Sequence, residues 1–249
     1  MKILASDYDG TLHFKDGYHK EDIEAIRRFQ EAGHLFGLCS GRALGNLSQL
    51  EKEDGLHFDF LIGASGAALS AGGRIIYEKT IPYEVFEGLY ERMNGHHLFV
   101  ETKKDTYAVK EDFSFFPWID PILDLTDPEV LKNEDIVHAS IEFKTEAELY
   151  AVLPKIEDLR DQIEFYQNGP SIDFVPKGYS KKTGIEQMAK HFNVEEADTA
   201  CIGDNYNDLP MITGIHNSYT FYHAPRGVQE SALHVVGSIA ECIDDLLKK

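Results

Sequence analysis

The sequence predicts an α/β protein in which a parallel-sheet core is interrupted by a smaller α+β unit. Three observations carry that expectation. Short apolar runs alternate with helical patterns at the start of the chain; the middle third switches to strand runs flanking helices; and the alternation resumes towards the end. Strands alternating with helices imply a parallel sheet with right-handed crossovers, whereas runs of strands around helices imply an α+β layer. The expected boundaries are 1–78 for the first part of the core, 79–176 for the inserted unit and 177–249 for the rest of the core.

Element by element, Ile3-Leu4-Ala5 reads as a buried strand. Ile23, Ile26 and Phe29 mark a helix that stops near Gly33, where a left-handed residue can end it. Strands follow over 35–39 and 58–62, and Gly72-Gly73 turns a hairpin into Arg74-Ile75-Ile76-Tyr77. In the inserted unit, Phe86, Leu89, Tyr90 and Met93 share a helix face, and strands are expected near 98–101, 107–110 and 136–143. Thr145 with Glu148 is a capping-box signature for a helix carrying Leu149, Val152 and Ile156. Two strands, near 163–166 and 172–175, complete it. Beyond it, Ser180 caps a helix on Ile185, Met188, Ala189 and Phe192, spaced for one face. Ala200 to Ile202 reads as another buried strand, and a last helix starts at Ser238 with Glu241 completing a capping box.

Composition bounds the function. With 249 residues the chain can bury one large or two moderate cores. A formal net charge of −19, from 24 basic and 43 acidic residues, argues against a general nucleic-acid binder, which needs a basic footprint. An anionic ligand would have to be attracted locally, against the overall field. Cys39, Cys201 and Cys242 are odd in number and widely spaced, and read as reduced core thiols. No apolar run approaches a membrane span, so a soluble, cytoplasmic protein with no membrane partner is expected.

Four motifs carry the chemistry. Asp7-Tyr8-Asp9-Gly10-Thr11 stands at the end of the first strand, where open parallel sheets place ligands. Strand alternation would put Asp7 and Asp9 on one side. Two such carboxylates repel, and a divalent cation removes that cost. Gly203-Asp204-Asn205-Tyr206-Asn207-Asp208 follows another strand and offers hard oxygen donors suited to Mg²⁺. Ser40-Gly41-Arg42, again behind a strand, is a plausible oxyanion cradle. Lys181 sits in a first helical turn, where a cation opposes the helix dipole; such a broken local rule often marks function. Solvated turns and a surface basic pair with Lys182 are the plain readings of the same residues.

Taken together and in this order, the motifs resemble those of the haloacid dehalogenase superfamily of phosphohydrolases, and the spacing is similar to the Cof-type subfamily with its α/β cap. The resemblance covers almost the whole chain. It departs at Ser65-Gly66-Ala67, where that subfamily usually has Asn-Gly-Ala, and in a rather short cap. It implies a Rossmann-like core and a Mg²⁺-dependent phosphatase acting on small phosphorylated metabolites, such as sugar phosphates or phosphorylated cofactors. Asp7 would be the nucleophile, forming an aspartyl-phosphate, and Asp9 the general acid and base. Mg²⁺ would be held by Asp7, Asp204 and the main-chain carbonyl of Asp9. Tyr8 through its amide, Ser40, Gly41, Lys181 and Asn207 would hold the transferring oxygens, with Thr11, Arg42 and Asp208 supporting them. Asp208 is expected to orient Lys181 or a metal-bound water.

The cap is expected to supply selectivity. Phe113 to Trp118 is read mainly as cap core, the histidines, His138 among them, as structural or exposed, and Glu51 to Asp54 as a solvated helix end. Two alternatives use the same chemistry: a phosphomutase of the same superfamily, and a non-enzymatic phospho-Asp regulatory module. The second needs neither a cap of this size nor an Asp two residues after the acceptor.

Overall fold

The structure is a computed structural model that describes residues 1–54 (main chain only from 51), 56–93, 96–109 and 122–248. The chain divides into two compact units: Met1–Tyr77 with Ser180–Lys249, and Glu78–Tyr179.

The first unit begins with β1 (Ile3–Ser6), α1 (Lys20–Glu31), β2 (Leu35–Cys39), α2 (Leu44–Asp54), β3 (Phe60–Gly63), β4 (Ala68–Ala71) and β5 (Arg74–Glu78). Strands β1 to β3 are almost wholly buried, and that is why they read as continuous apolar runs rather than as alternating ones. The β4–β5 turn has positive φ at both Gly72 and Gly73, the backbone a two-residue hairpin needs.

The second unit holds α3 (Tyr83–Met93), β6 (His97–Thr102), β7 (Thr106–Ala108), β8 (Ile122–Asp124), β9 (Ile136–Glu142), α4 (Glu146–Val152), β10 (Ile163–Asn168) and β11 (Ser171–Pro176). Its sheet runs in the order β10-β11-β9-β6-β7-β8. Phe86, Leu89 and Met93 of α3 and Leu149 and Val152 of α4 pack with Leu98, Val100, Ala139, Ile141, Ile172 and Phe174 in one apolar core. These strand residues alternate, so the sheet has a second face, and there Glu101, His138, Ser140 and Asp173 are buried polar groups. The aromatic stretch Phe113 to Trp118 and the side chains of Glu51 to Asp54 lie outside the described residues.

The chain then returns to the first unit with α5 (Lys181–His191), β12 (Thr199–Ile202), α6 (Leu209–Gly214), β13 (Asn217–Phe221), α7 (Arg226–Gln229), β14 (His234–Val236) and α8 (Ile239–Lys248). The finished sheet has eight strands in the order β14-β13-β12-β1-β2-β3-β4-β5. Six of them, from β14 to β3, are mutually parallel, and β4 turns antiparallel. Ser238 caps α8 by accepting from the Glu241 amide at 3.1 Å, while the Glu241 carboxylate returns to the Gly237 amide. Cys39, Cys201 and Cys242 are buried free thiols. Among the described residues no helix is long and apolar enough to cross a membrane.

Candidate active site

Three neighbouring central strands, β12, β1 and β2, deliver three of the motifs at their C-terminal ends. β1 ends at Ser6, and the Asp7 amide continues its ladder by donating to the Ile202 carbonyl at 2.9 Å. β12 leads into Gly203 and Asp204, and β2 leads into Ser40.

The fourth motif arrives on α5. Ser180 and Thr183 form a reciprocal capping box, which fixes the start of the helix and with it Lys181. Lys181 is completely buried, and its ammonium donates to Asp7 Oδ1 at 2.6 Å and to Asp208 Oδ1 at 2.5 Å. Burial works against that charge, but Asp208 and Asp7 outweigh it and hold the ammonium well above the usual lysine range. An ammonium has three N–H groups, so one remains for a further acceptor.

The cluster that follows β12 is internally braced. Asp208 Oδ2 accepts from the amides of Asp204 at 2.9 Å and Asn205 at 3.0 Å, so both its oxygens are engaged. Gly203 makes this possible: a Cβ there would lie 2.5 Å from Asp208 Cγ. Thr11 donates to Asp204 Oδ1 at 2.8 Å, and Gly10, at φ 81°, lets the chain pass beside the other Asp204 oxygen. Asn207 is buried, and its Oδ1 has no hydrogen-bond partner among the described residues.

Asp7, Asp204 and Asp208 each offer an oxygen within 4.8 Å of the others. Burial pushes the Asp7 carboxyl well above its ordinary range, Lys181 opposes this, and Asp208 and Asp204 reinforce it. Asp204 is raised by burial and by Asp208. Carboxylates crowded in this way are relieved by a cation, and all-oxygen donors suit a hard one. The hydrogen bonds sort the donors: Asp208 is spent on Lys181 and two amides, whereas Asp7 and Asp204 each keep one oxygen outside these bonds. The residues present fit a divalent cation.

Asp9 departs from the strand-based expectation. The strand ends at Ser6, so the alternation on which that expectation rests does not extend to residue 9. The Asp9 side chain is 53% exposed and is clasped by Arg42, Nε to Oδ2 at 2.8 Å and NH2 to Oδ1 at 2.7 Å. The same guanidinium lies 5.1 Å from the Tyr8 ring centroid. Tyr8 is buried, and its carbonyl receives the amides of Thr11, Leu12 and His13, which curls the chain back after the first motif.

Ser40 is tied at both main-chain groups and at its side chain: its amide donates to the Ile62 carbonyl, its carbonyl accepts from the Ser65 amide, and its Oγ accepts from the Arg42 amide at 3.3 Å. Gly41 follows directly in this loop. Away from these residues, and within the second unit, His138 lies between Glu101 Oε2 at 2.9 Å and Asp173 Oδ1 at 3.5 Å. Burial opposes its charge, but Asp173 and Glu101 outweigh it and push the imidazolium up to about 10. Neither acid is near it in sequence, so only the alternation of His138 and Ser140 with apolar neighbours hinted at that polar face.

A carboxylate held by a buried ammonium, beside a second carboxylate and at the ends of parallel strands, defines a charge-compensated acidic site on an α/β fold. The family profile of haloacid dehalogenase-like hydrolases matches residues 4–242, and the chain belongs to that family: it is an enzyme, a hydrolase. Among curated proteins it is 27% identical over 230 residues to YxeH, a candidate phosphatase of Bacillus subtilis (strain 168), covering 85% of this chain and 83% of that one. It is 22% identical over 284 residues to the 5-amino-6-(5-phospho-D-ribitylamino)uracil phosphatase YwtE of the same organism, covering 99% and 98%. A solved sugar phosphatase of HAD subclass IIB shares the fold with a TM-score of 0.82 at 24% identity, over 100% of this chain and 98% of the other.

Proposed function

We propose that this chain is a Mg²⁺-dependent phosphatase for small phosphomonoesters. The observation that carries the reading is the buried Asp7–Lys181–Asp208 chain beside Asp204, which aims a fixed carboxylate into a charge-compensated site. Mg²⁺, held by Asp7, Asp204 and the Asp9 carbonyl, would neutralise charge between the carboxylate and the incoming phosphate.

The chain's own residues do the rest. The free oxygen of Asp7 attacks phosphorus, the ester P–O bond breaks, and the leaving alkoxide takes a proton from the Asp9 carboxylic acid. The Asp9 carboxylate then takes a proton from water; the water oxygen bonds to phosphorus and the bond to Asp7 breaks, restoring both residues. For this Asp9 must leave the Arg42 clasp, since both its oxygens are engaged there. The remaining Lys181 N–H, Ser40, the amides of Gly41 and Tyr8, and the Asn207 amide would hold the transferring oxygens, which is most of what phosphoryl transfer requires. The activities named for the relatives, on a phosphoribitylamino-uracil and on sugar phosphates, point to small phosphorylated metabolites as the substrate class.

The test is hydrolysis of p-nitrophenyl phosphate. Turnover should need Mg²⁺, stop in excess EDTA, return on adding Mg²⁺, and vanish in Asp7→Asn. Full turnover in EDTA would remove the metal from the reading, and an active Asp7→Asn would remove the covalent step.

A further inference from the structure

Among the described residues only Ala64, Ser65 and Asn193 are non-glycine positions with positive φ, and two of them are consecutive. Ala64 and Ser65 both stand at φ 46°, followed by Gly66 at φ 98°. A left-handed backbone crowds Cβ against the carbonyl, so two such residues in a row persist only where their surroundings hold them. Ser65 is buried, and its hydroxyl has no hydrogen-bond partner among the described residues. What this position supplies is therefore its backbone.

The three residues reach both phosphate-site loops. The Ala64 amide donates to the Arg42 carbonyl at 2.8 Å, and the Ser65 amide donates to the Ser40 carbonyl at 3.0 Å. On the other side Gly66 packs directly on the start of α5: a Cβ on it would run into the Ser180 carbonyl, and a Cβ on Gly184 would lie 2.8 Å from Gly66 Cα. Tyr77 locks the turn by donating its hydroxyl to the Gly66 carbonyl at 3.0 Å. A right-handed turn would aim these amides elsewhere, and any residue larger than glycine at 66 would push α5 and Lys181 away.

We propose that the 64–66 turn is a clamp that sets the spacing between the Ser40 loop and Lys181, with Ser65 and Gly66 as positioning residues for phosphate. The inference rests on the reading of Ser40 and Lys181 as phosphate-binding groups.

The test compares Ser65→Gly with Ser65→Val in the full chain. Glycine adopts the left-handed backbone freely, and a β-branched residue opposes it. The readouts are the inhibition constant of inorganic phosphate against p-nitrophenyl phosphate turnover, and the melting temperature. Phosphate affinity should be at least about tenfold weaker in the Val variant than in the Gly variant, a loss of about 1.4 kcal/mol or more. Tyr77→Phe, which removes the hydroxyl that holds the Gly66 carbonyl, should weaken phosphate in the same direction. Equal phosphate affinity in the two Ser65 variants, both folded, overturns the clamp. Where Ser65→Val does not fold, unchanged phosphate inhibition in Tyr77→Phe overturns it. Ser40→Ala separates the two levels: if it too leaves phosphate affinity untouched, the reading of the site fails rather than the clamp.

Discussion

Replacing Lys181 by Met tests the electrostatic centre of the molecule. The ammonium is fully buried and contacts Asp7 at 2.6 Å and Asp208 at 2.5 Å, and those side chains are themselves only 7% and 0% exposed. Methionine nearly fills the volume, so packing changes little while the charge disappears. Asp208 keeps its two amide donors, whereas Asp7 loses the one partner that compensated it. Breaking a buried ion pair from one side costs about 3–5 kcal/mol. At roughly 2–4 °C per kcal/mol for a chain of this size, the melting temperature should fall by roughly 6–20 °C. The loss should also depend on pH. Burial already raises the folded-state value of Asp7, and without Lys181 it rises further. A group raised in the folded state contributes stability that is complete below its unfolded value and is lost as pH rises through the folded one. The deficit of the variant should therefore be larger near about pH 8 than near about pH 5. Adding Asp208→Asn should return part of it, because the two changes share one network. Calorimetric melts at both pH values decide the matter. A deficit below about 1 kcal/mol, or one identical at the two pH values, would refute the uncompensated-carboxylate argument.

Asp9→Asn should lower the first step with alkyl phosphates by about 10²–10⁴-fold, and much less with p-nitrophenyl phosphate, whose leaving group needs no proton; an equal loss in single-turnover assays would deny Asp9 the role of acid. Gly203→Ala should displace Asp208, cost about 1–3 kcal/mol of stability and weaken Mg²⁺ activation; unchanged melting and an unchanged Mg²⁺ titration would contradict the close approach. His138 is raised from 6.5 to about 10, so its stabilising contribution is complete below about pH 6.5 and is lost as pH rises through about 10. Alkaline destabilisation over that window should be blunted in His138→Gln, and an identical pH profile would count against a charged His138.

Asp7, Asp204 and Lys181 were readable in the chain because each breaks a local rule: carboxylates directly after buried strands, and a cation in a first helical turn. The structure brings Lys181 to Asp7, 174 residues away, and to Asp208, 27 residues away, with Asp204 clustered beside the two carboxylates. The direction of Asp9 was not readable, since it depends on where the strand stops, and an apolar run fixes that only to within a residue or two. β13 was missed for a different reason. Asn217-Ser218-Tyr219-Thr220 looks like a polar loop, yet β13 lies between two parallel neighbours and its hydroxyls are satisfied inside: Thr220 on the Gly203 carbonyl, Tyr219 on Asp245 and Ser218 under the Leu233 amide. Long-range hydrogen bonds made a buried strand out of residues whose pattern denies it.

The position of β1 in its sheet has a consequence for how the protein is made. One neighbour, β2, follows about thirty residues later, but the other, β12, pairs Thr199 with Ile3. At translation speeds of about 5–20 residues per second, β1 waits on the order of ten to forty seconds with one edge open. Throughout that interval the segment that carries Asp7 is the border of an incomplete sheet. Early folding must therefore stop at a strip that tolerates an unpaired edge, and the inserted unit, which closes its own sheet from residues 97–176, is free to form while the strip waits. Chaperones that recognise exposed strands would meet this chain chiefly in that window, and slowing synthesis between β11 and β12 should lengthen their hold on it.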